Sequence, residues 1–145
     1  MQKLNIPDNI NSYTHKFFEH VRWGDTDGHN HVNNVSFSRY FESARVDIIR
    51  SLETKKYSFV LVNFSINYFS QVFYPSNIEI GSSLEKIGNS SLSIMHALFV
   101  DGKCKSSAKS ILAYADLKKN KPKLISMELK LQIKNILRGG ASDEI

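Results

Sequence analysis

The chain has few of the residues that stabilise very small or secreted domains. Among its 145 residues there is one cysteine, Cys104, so an internal disulfide and a cysteine-rich zinc site are both excluded. A lone cysteine also favours a reducing compartment, and we expect a cytoplasmic protein. Seven glycines, 3 prolines and 41% apolar residues are typical of one compact domain over residues 1–145.

Long apolar runs are absent as well. The longest apolar stretch, Ser58 to Tyr68, is interrupted by Asn63, Ser65 and Asn67, whereas a membrane helix needs ~20 apolar residues. The polar segment Met1 to Ser12 lacks the basic start and apolar run of a signal peptide. We therefore expect no export and no membrane partner.

Basic residues outnumber acidic ones, 19 against 14, which gives a net charge of +5. Such a balance attracts polyanions, including nucleic acid, acidic carrier proteins and phosphorylated cofactors. The lysines are dispersed along the chain, however, and aromatic residues do not alternate with them as in RNA-binding motifs. We expect no nucleic-acid partner.

The first half of the chain predicts a strand, a loop and a long helix. A strand is predicted from Tyr13 to Trp23, with Phe17, Val21 and Trp23 on one side. The composition of Gly24 to Asn33 predicts a loop. Apolar residues spaced by three and four then predict one buried face of a helix from Asn34 to Leu52, namely Phe37, Tyr40, Phe41, Ala44, Ile48, Ile49 and Leu52. Asn33 or Asn34 is a suitable N-cap.

The second half predicts an antiparallel sheet, because the apolar period changes to two after Lys56. Turn signals at Gly88-Asn89 and Asp101-Gly102 separate the later strands, and we predict sequential hairpins. The predicted strands are Val62–Tyr68, Ile78–Ile87, Ser91–Val100 and Lys103–Asp116, followed by a turn at Lys118–Lys121 and a helix over about 126–138 that begins at Ser126. The fold class is α+β, with a core over about 13–125.

The strand from Ser91 to Val100 is apolar on both faces. One helix can cover only one face of a sheet, so the pattern predicts that a second subunit covers the other.

The segment from Val21 to Asp47 carries the most specific pattern in the chain. It reads VRWGDTDGHNHVNNVSFSRYFESARVD, with D-T-D, then H-V-N-N, then Y-F-E-x-A-R. It resembles the hotdog-fold acyl-CoA thioesterases of the 4-hydroxybenzoyl-CoA thioesterase-like group, over about 17–116. The resemblance implies a hotdog fold, in which an antiparallel sheet wraps around one long central helix. Asn30 departs from the family, which usually has Gly there; Asn tolerates positive φ better than most residues.

The residues of this segment suit thioester hydrolysis on chemical grounds. The reaction needs a carboxylate that attacks the carbonyl or activates water, and Asp27 can supply it. It also needs donors for the oxygen where negative charge develops. The N-terminus of the helix at Asn34 carries unpaired N–H groups and partial positive charge.

The resemblance implies the same roles residue by residue. Asp27, the second aspartate of D-x-D, is the implied base or nucleophile, and the amide near Asn34 the implied oxyanion partner. Asp25 is implied to hold the loop. His31 either orients the loop or substrate or acts as a general base. Asn33 and Asn34 are most simply caps, and the spacing of the Tyr40, Glu42 and Arg45 side chains equally suits packing and pairing on the helix.

We predict no metal and no cofactor, because Asp27, His29 and His31 do not have the spacing of a zinc motif. The predicted function is hydrolysis of a CoA thioester to CoA and a carboxylic acid. The resemblance implies sites shared between subunits, so we predict a homodimer or homotetramer with Asp27 near the boundary. Three alternatives stay open: a thioesterase acting on acyl carrier protein, a hotdog hydratase or dehydratase that uses His31 with Asp27, and a non-catalytic acyl-CoA-binding module.

Overall fold

A computed structural model of the chain describes residues 9–139, in which two helices accompany six strands. Two short 3₁₀ turns, Ile10–Ser12 and Trp23–Asp25, flank the first strand. The strands and helices are β1 (His15–His20), α1 (Asn34–Arg50), β2 (Tyr57–Tyr68), β3 (Asn77–Ile87), β4 (Ser91–Val100), β5 (Lys103–Asp116), β6 (Lys121–Pro122) and α2 (Met127–Ile136). Within residues 9–139 no helix is long and apolar enough to cross a membrane.

The strands form one antiparallel sheet in the order β1-β3-β4-β5-β2, and the short β6 pairs with the end of β5. The two hairpins predicted at Gly88-Asn89 and Asp101-Gly102 are confirmed, since β3 pairs with β4 and β4 with β5. The connection from β2 to β3 is not a hairpin. Strand β2 pairs with β5, Tyr68 lying opposite Ser106, so residues 69–76 cross from one edge of the sheet towards the other. This crossover, residues 69–76, lies beside the loop before α1.

Helix α1 begins where the sequence predicted, because the side chain of Asn33 accepts a hydrogen bond from the Ser36 N–H at 2.8 Å. Its apolar side packs on the curved inner face of the sheet, where Phe41 and Leu98 are fully buried. The helix ends at Arg50, two residues before the predicted end, and Leu52 is buried in the following turn. The predicted architecture of a sheet around one long helix is confirmed.

Several side chains do not lie where their strand or helix pattern placed them. Trp23 is 66% exposed, because the chain leaves β1 at His20 and turns at Trp23–Asp25. Val62 is 64% exposed because it lies in a bulge of β2, between the paired residues Leu61 and Asn63. Lys121, predicted to lie in a turn, is in β6 and pairs with Asp116 of β5. Helix α2 is capped by Ser126 as predicted and spans ten residues.

The outer face of β4 is covered by the chain itself. Ala97 and Phe99 pack against Ile10 and Tyr13, and the rings of Tyr13 and Phe99 meet edge to face with centroids 6.3 Å apart. The Tyr13 ring lies so close to Gly81 that any side chain there would collide with it. The second apolar face of β4 therefore needs no second subunit at these two residues.

A polar side chain is buried on the inner face of the sheet, under the middle of α1. The imidazole of His96 is buried and hydrogen-bonds Ser82 Oγ at 2.7 Å and Ser110 Oγ at 2.9 Å. Burial, together with the positive charges of the nearby Arg45 and His15, lowers the pKa of His96 to about 3. His96 is therefore neutral in the folded protein at neutral pH.

This buried imidazole predicts a loss of stability in mild acid. The unfolded chain binds a proton at His96 near pH 6.5 and the folded chain only near pH 3, so its contribution falls as pH decreases through this window. We expect the free energy of unfolding to drop by about 1.4 kcal/mol per pH unit from this group. Urea unfolding of wild type and His96→Gln between pH 7 and 4 measures it, because the other titrating groups cancel in the difference. Parallel pH profiles would contradict the prediction.

Candidate active site

The loop before α1 is held by Asp25. Its carboxylate Oδ2 accepts hydrogen bonds from the Arg22 N–H at 2.9 Å and from the Tyr40 hydroxyl at 2.6 Å. Its backbone oxygen accepts from the Asn33 N–H and the Ser36 hydroxyl, each at 3.0 Å. Burial and the hydrogen bond to Asp25 raise the pKa of Tyr40 above its usual range, so Tyr40 stays protonated and donates. These contacts support the structural role predicted for Asp25.

Residues 26–32 fold back on themselves between these fixed ends. The Asp27 N–H donates to the His31 oxygen at 2.8 Å, and Thr26 and Val32 form an isolated bridge. Asn30, at φ +65°, provides the left-handed residue that closes the turn. Asn therefore takes the conformation that glycine adopts most easily, and its side chain also donates to the Tyr74 oxygen at 3.1 Å.

The carboxylate of Asp27 lies at the surface of this loop. Its Oδ1 accepts a hydrogen bond from the His29 N–H at 3.0 Å. Its Oδ2 has no hydrogen-bond partner among residues 9–139. One oxygen is thus used to orient the carboxylate, and the other is available to a proton or to a carbonyl carbon.

The start of α1 faces the same region. Asn33 is the cap and Asn34 the first helical residue, which resolves the choice left open by the sequence. The N–H groups of Asn34 and Val35 have no acceptor within the described part of the chain, as expected for the first turn of a helix. They add the partial positive charge of a helix N-terminus to the site.

A cavity of about 460 Å³ brings these groups together. Asp27, His31 and Asn34, the three predicted catalytic residues, all contribute to its wall. The apolar part of the wall includes Phe37 from α1, and Tyr68 lies at the end of β2. The cavity therefore presents a carboxylate, an imidazole and helix N–H groups to one apolar space.

His31 is oriented by its neighbours without a bond to Asp27. Its ring lies 4.9 Å from the Phe73 ring, centroid to centroid, and the two residues form a backbone bridge. Between residues 9 and 139 no hydrogen bond joins the imidazole to the Asp27 carboxylate. This arrangement favours the orienting role of His31 over that of a general base.

The sequence reasoning missed the wall formed by residues 68–71. Tyr68, Phe69, Ser70 and Gln71 line the cavity from the crossover after β2. Their only signal was the end of an alternating strand pattern at exposed aromatic residues, Tyr68 and Phe69 each being 44% exposed. Because the crossover brings them to the loop before α1, their place in the site depends on the topology of the sheet.

The remaining residues of the motif have structural roles. Arg45 is buried and donates to Ser110 Oγ at 3.5 Å, and its guanidinium lies over the Phe64 ring. Burial lowers its pKa, and the ion pair with Glu42 opposes this effect. No group of three or more metal-binding side chains lies together in the range 9–139.

Together the curled sheet and its single long helix define a hotdog domain, and a carboxylate and the helix N-terminus line one cavity of it. The family model of the thioesterase-like superfamily matches residues 21–133, and the chain belongs to this family. The predicted family and the predicted class of enzyme, a thioester hydrolase, are confirmed. A search of curated proteins found no match.

Solved structures share the fold over nearly the whole domain. The PA5185 protein of Pseudomonas aeruginosa is 25% identical with a TM-score of 0.78, covering 90% of this chain and 96% of that one. The probable thioesterase YbaW of Escherichia coli is 23% identical with a TM-score of 0.74, covering 85% and 98%. A Thermus thermophilus thioesterase, solved with coenzyme A and zinc, is 20% identical with a TM-score of 0.76, covering 86% and 95%.

The hydrogen bond between Tyr40 and Asp25 generates a prediction about the loop. Tyr40→Phe removes the donor and leaves part of a carboxylate unpaired, so we expect a loss of about 1.5–3 kcal/mol of unfolding free energy. Denaturant unfolding measures it. Tyr13→Phe is the matched control, because the Tyr13 ring is also buried but its hydroxyl has no hydrogen-bond partner among the described residues. Equal losses in both variants would contradict a specific role for the hydroxyl.

Proposed function

We propose that the enzyme hydrolyses an acyl-CoA thioester in the 460 Å³ cavity, with Asp27 and the start of α1 as its reacting groups. One observation supports this most directly: a carboxylate with an available oxygen and the unpaired N–H groups of Asn34 and Val35 lie at one cavity. The family membership supports the reaction, and the coenzyme A bound to the Thermus thermophilus thioesterase supports the leaving group.

In the proposed reaction Asp27 acts on water. The carboxylate takes a proton from a water molecule as the water oxygen attacks the thioester carbonyl carbon. The N–H of Asn34 donates to the carbonyl oxygen as it becomes negative. The carbon–sulfur bond then breaks, the CoA thiolate takes up the proton, and the carboxylic acid leaves. Direct attack by Asp27 forms an anhydride instead, which water then hydrolyses, and the products are the same.

The other groups of the cavity position the substrate. Phe37 and Tyr68 form an aromatic pair with centroids 5.3 Å apart, and this pair offers an apolar surface to the acyl group. His31 packs on Phe73 at the edge of the cavity and orients the loop that carries Asp27. The lone Cys104 remains consistent with a cytoplasmic enzyme.

Asp27→Asn tests this mechanism. The variant keeps an oxygen for the His29 N–H but loses the basic carboxylate, so we expect kcat to fall by roughly 10²–10⁴. The free energy of unfolding stays within about 0.5 kcal/mol of wild type, because the side chain is exposed. Asp47→Asn is the matched control, since Asp47 lies towards the other end of α1 and, among residues 9–139, its side chain hydrogen-bonds only His15. Near-normal turnover by Asp27→Asn rules the mechanism out.

The same preparation separates the alternative functions. Turnover of an acyl carrier protein thioester in preference to the CoA thioester indicates a carrier-protein thioesterase. Hydration of an enoyl-CoA that depends on both His31 and Asp27 indicates a hydratase. Binding of acyl-CoA without any product indicates a non-catalytic module.

We further propose that two copies pair through β2. This strand is an edge of the sheet and hydrogen-bonds only β5 among the described strands. It exposes Val60 (43%), Leu61 (44%) and Val62 (64%), and long apolar edge strands readily pair with another chain. Since Tyr68 at the end of β2 lines the cavity, such a pairing puts the site near the subunit boundary.

Light scattering tests this dimer. We expect twice the chain mass of 16.5 kDa for wild type at micromolar concentration. Val62→Lys puts a charge on the edge and gives the monomer mass, because a buried unpaired lysine opposes association. Leu124→Lys, at an equally exposed leucine outside β2, keeps the wild-type mass. A fully active wild-type monomer contradicts both the dimer and the shared site.

A further inference from the structure

Four exposed lysines follow β5 within six residues, at Lys118, Lys119, Lys121 and Lys123. The acidic residue beside them, Asp116, has a structural use, because its Oδ1 accepts hydrogen bonds from the Lys118 and Lys119 N–H groups, each at 3.1 Å. Between residues 9 and 139 no carboxylate forms an ion pair with any of the four ammonium groups. Residues 116–124 therefore present a net charge of +3 to the solvent.

A fifth lysine, Lys56, joins this surface just before the start of β2. Its Nζ lies 5.5 Å from the centroid of the Tyr57 ring, and the Nζ of Lys123 lies 4.6 Å from the same centroid. Both ammonium groups thus share one aromatic ring. In the turn before β2, the charge of Lys55 offsets that of Glu53, so Lys56 adds to the positive charge of the surface.

Large apolar side chains stand exposed beside these lysines. Leu124 and Met127, at 72% and 70%, are the two most exposed large apolar residues in the range 9–139. Leu124 directly follows Lys123, whose N–H donates to the Tyr114 oxygen at 2.9 Å. The next residue, Ile125, is buried, so the backbone directs the Leu124 side chain towards the solvent. Packing within the described chain thus gives neither apolar side chain a partner surface.

We propose that this end of the molecule docks on the surface of an anionic lipid bilayer. The docking surface consists of the five lysines together with Leu124 and Met127. Lysines are attracted to anionic headgroups, and exposed leucine and methionine side chains enter the boundary between headgroups and acyl chains. The composition favours lipid over a protein partner, because protein interfaces are poor in lysine and depend on tryptophan, tyrosine and arginine. Nucleic acid attracts the same lysines, but its phosphate backbone offers no apolar layer to the other two residues.

Docking of this kind needs no membrane-spanning helix. The lack of a long apolar segment predicted no membrane partner, but contact with a bilayer surface requires only positive charge and a few exposed apolar side chains. The docking surface also lies apart from the active-site cavity of the same chain. Tyr57 and Tyr68 are the two ends of β2, which spans roughly 35 Å at ~3.3 Å per residue, and only Tyr68 lines that cavity.

Co-sedimentation with lipid vesicles tests the proposal. Vesicles of equal parts phosphatidylcholine and phosphatidylserine are compared with vesicles of phosphatidylcholine alone. We expect the wild-type protein to bind the anionic vesicles, more weakly as the salt concentration rises, and to stay in solution with the neutral ones. A protein that ignores the anionic vesicles, or that binds both kinds equally, overturns the proposal.

Lys118→Gln/Lys119→Gln tests the contribution of the charges. Each lysine near an anionic surface is worth roughly a factor of five in affinity, so we expect the apparent Kd for the anionic vesicles to rise roughly thirtyfold. Lys103→Gln/Lys105→Gln is the matched control, because it removes the same charge from the opposite end of β5. We expect this control to keep a Kd close to that of wild type. An equal rise in both variants shows attraction to the net charge alone and overturns the proposal.

Leu124→Gln/Met127→Gln tests the apolar contact and separates lipid from nucleic acid. The variant keeps every charge, and we expect its Kd for the anionic vesicles to rise roughly tenfold, whereas its affinity for a short DNA duplex equals that of wild type. Phe18→Gln, at an exposed apolar residue of β1, is the matched control and keeps the wild-type Kd. Urea unfolding verifies that each variant is folded. Vesicle binding that is independent of Leu124 and Met127, or DNA binding tighter than vesicle binding, identifies a general polyanion surface and overturns the proposal.

Discussion

The hydrogen bonds received by Asp25 are the constraint on which the active site depends. They join Arg22, which follows the first strand, the helix-capping Asn33 and the Tyr40 hydroxyl to one residue. With both ends fixed, the seven residues from Thr26 to Val32 have little freedom. Asp27 is consequently held in front of the first turn of α1.

The two aspartates of the D-T-D motif differ because their surroundings differ. Asp25 is half-buried and accepts hydrogen bonds with one carboxylate oxygen from two donors. Asp27 is exposed, and one of its oxygens has no partner among the described residues. Burial and hydrogen bonding suit a carboxylate that stabilises structure, whereas an accessible oxygen suits one that takes a proton or attacks carbon. One short motif thus supplies both the support and the carboxylate of the proposed reaction.

Much of the fold was predictable because its signals are local. The cap at Asn33, the spacing of the apolar residues of α1 and the turn at Asp101-Gly102 depend on neighbouring residues alone. The exposure of Trp23 and Val62 was not predictable, since the strand before Trp23 ends at His20 and a bulge shifts the alternation at Val62. The edge position of β2 depends on pairing with β5, whose paired residues lie 38 to 59 positions away, and no local pattern encodes it.

The residues of the candidate site likewise fall into two groups, those that a local motif predicts and those that only the topology of the sheet brings together. Asp27, His31 and Asn34 lie within eight residues, so one motif was enough to predict that they lie together. Gln71 comes from the crossover, and only the pairing of β2 with β5 brings it beside that motif. Backbone hydrogen bonds from the Phe69 and Ser70 N–H groups to the Lys105 oxygen fix the crossover on β5, and one from the Val32 N–H to the Val72 oxygen fixes it on the loop before α1. The wall of the cavity therefore depends on the sheet order, which no local pattern of the sequence encodes.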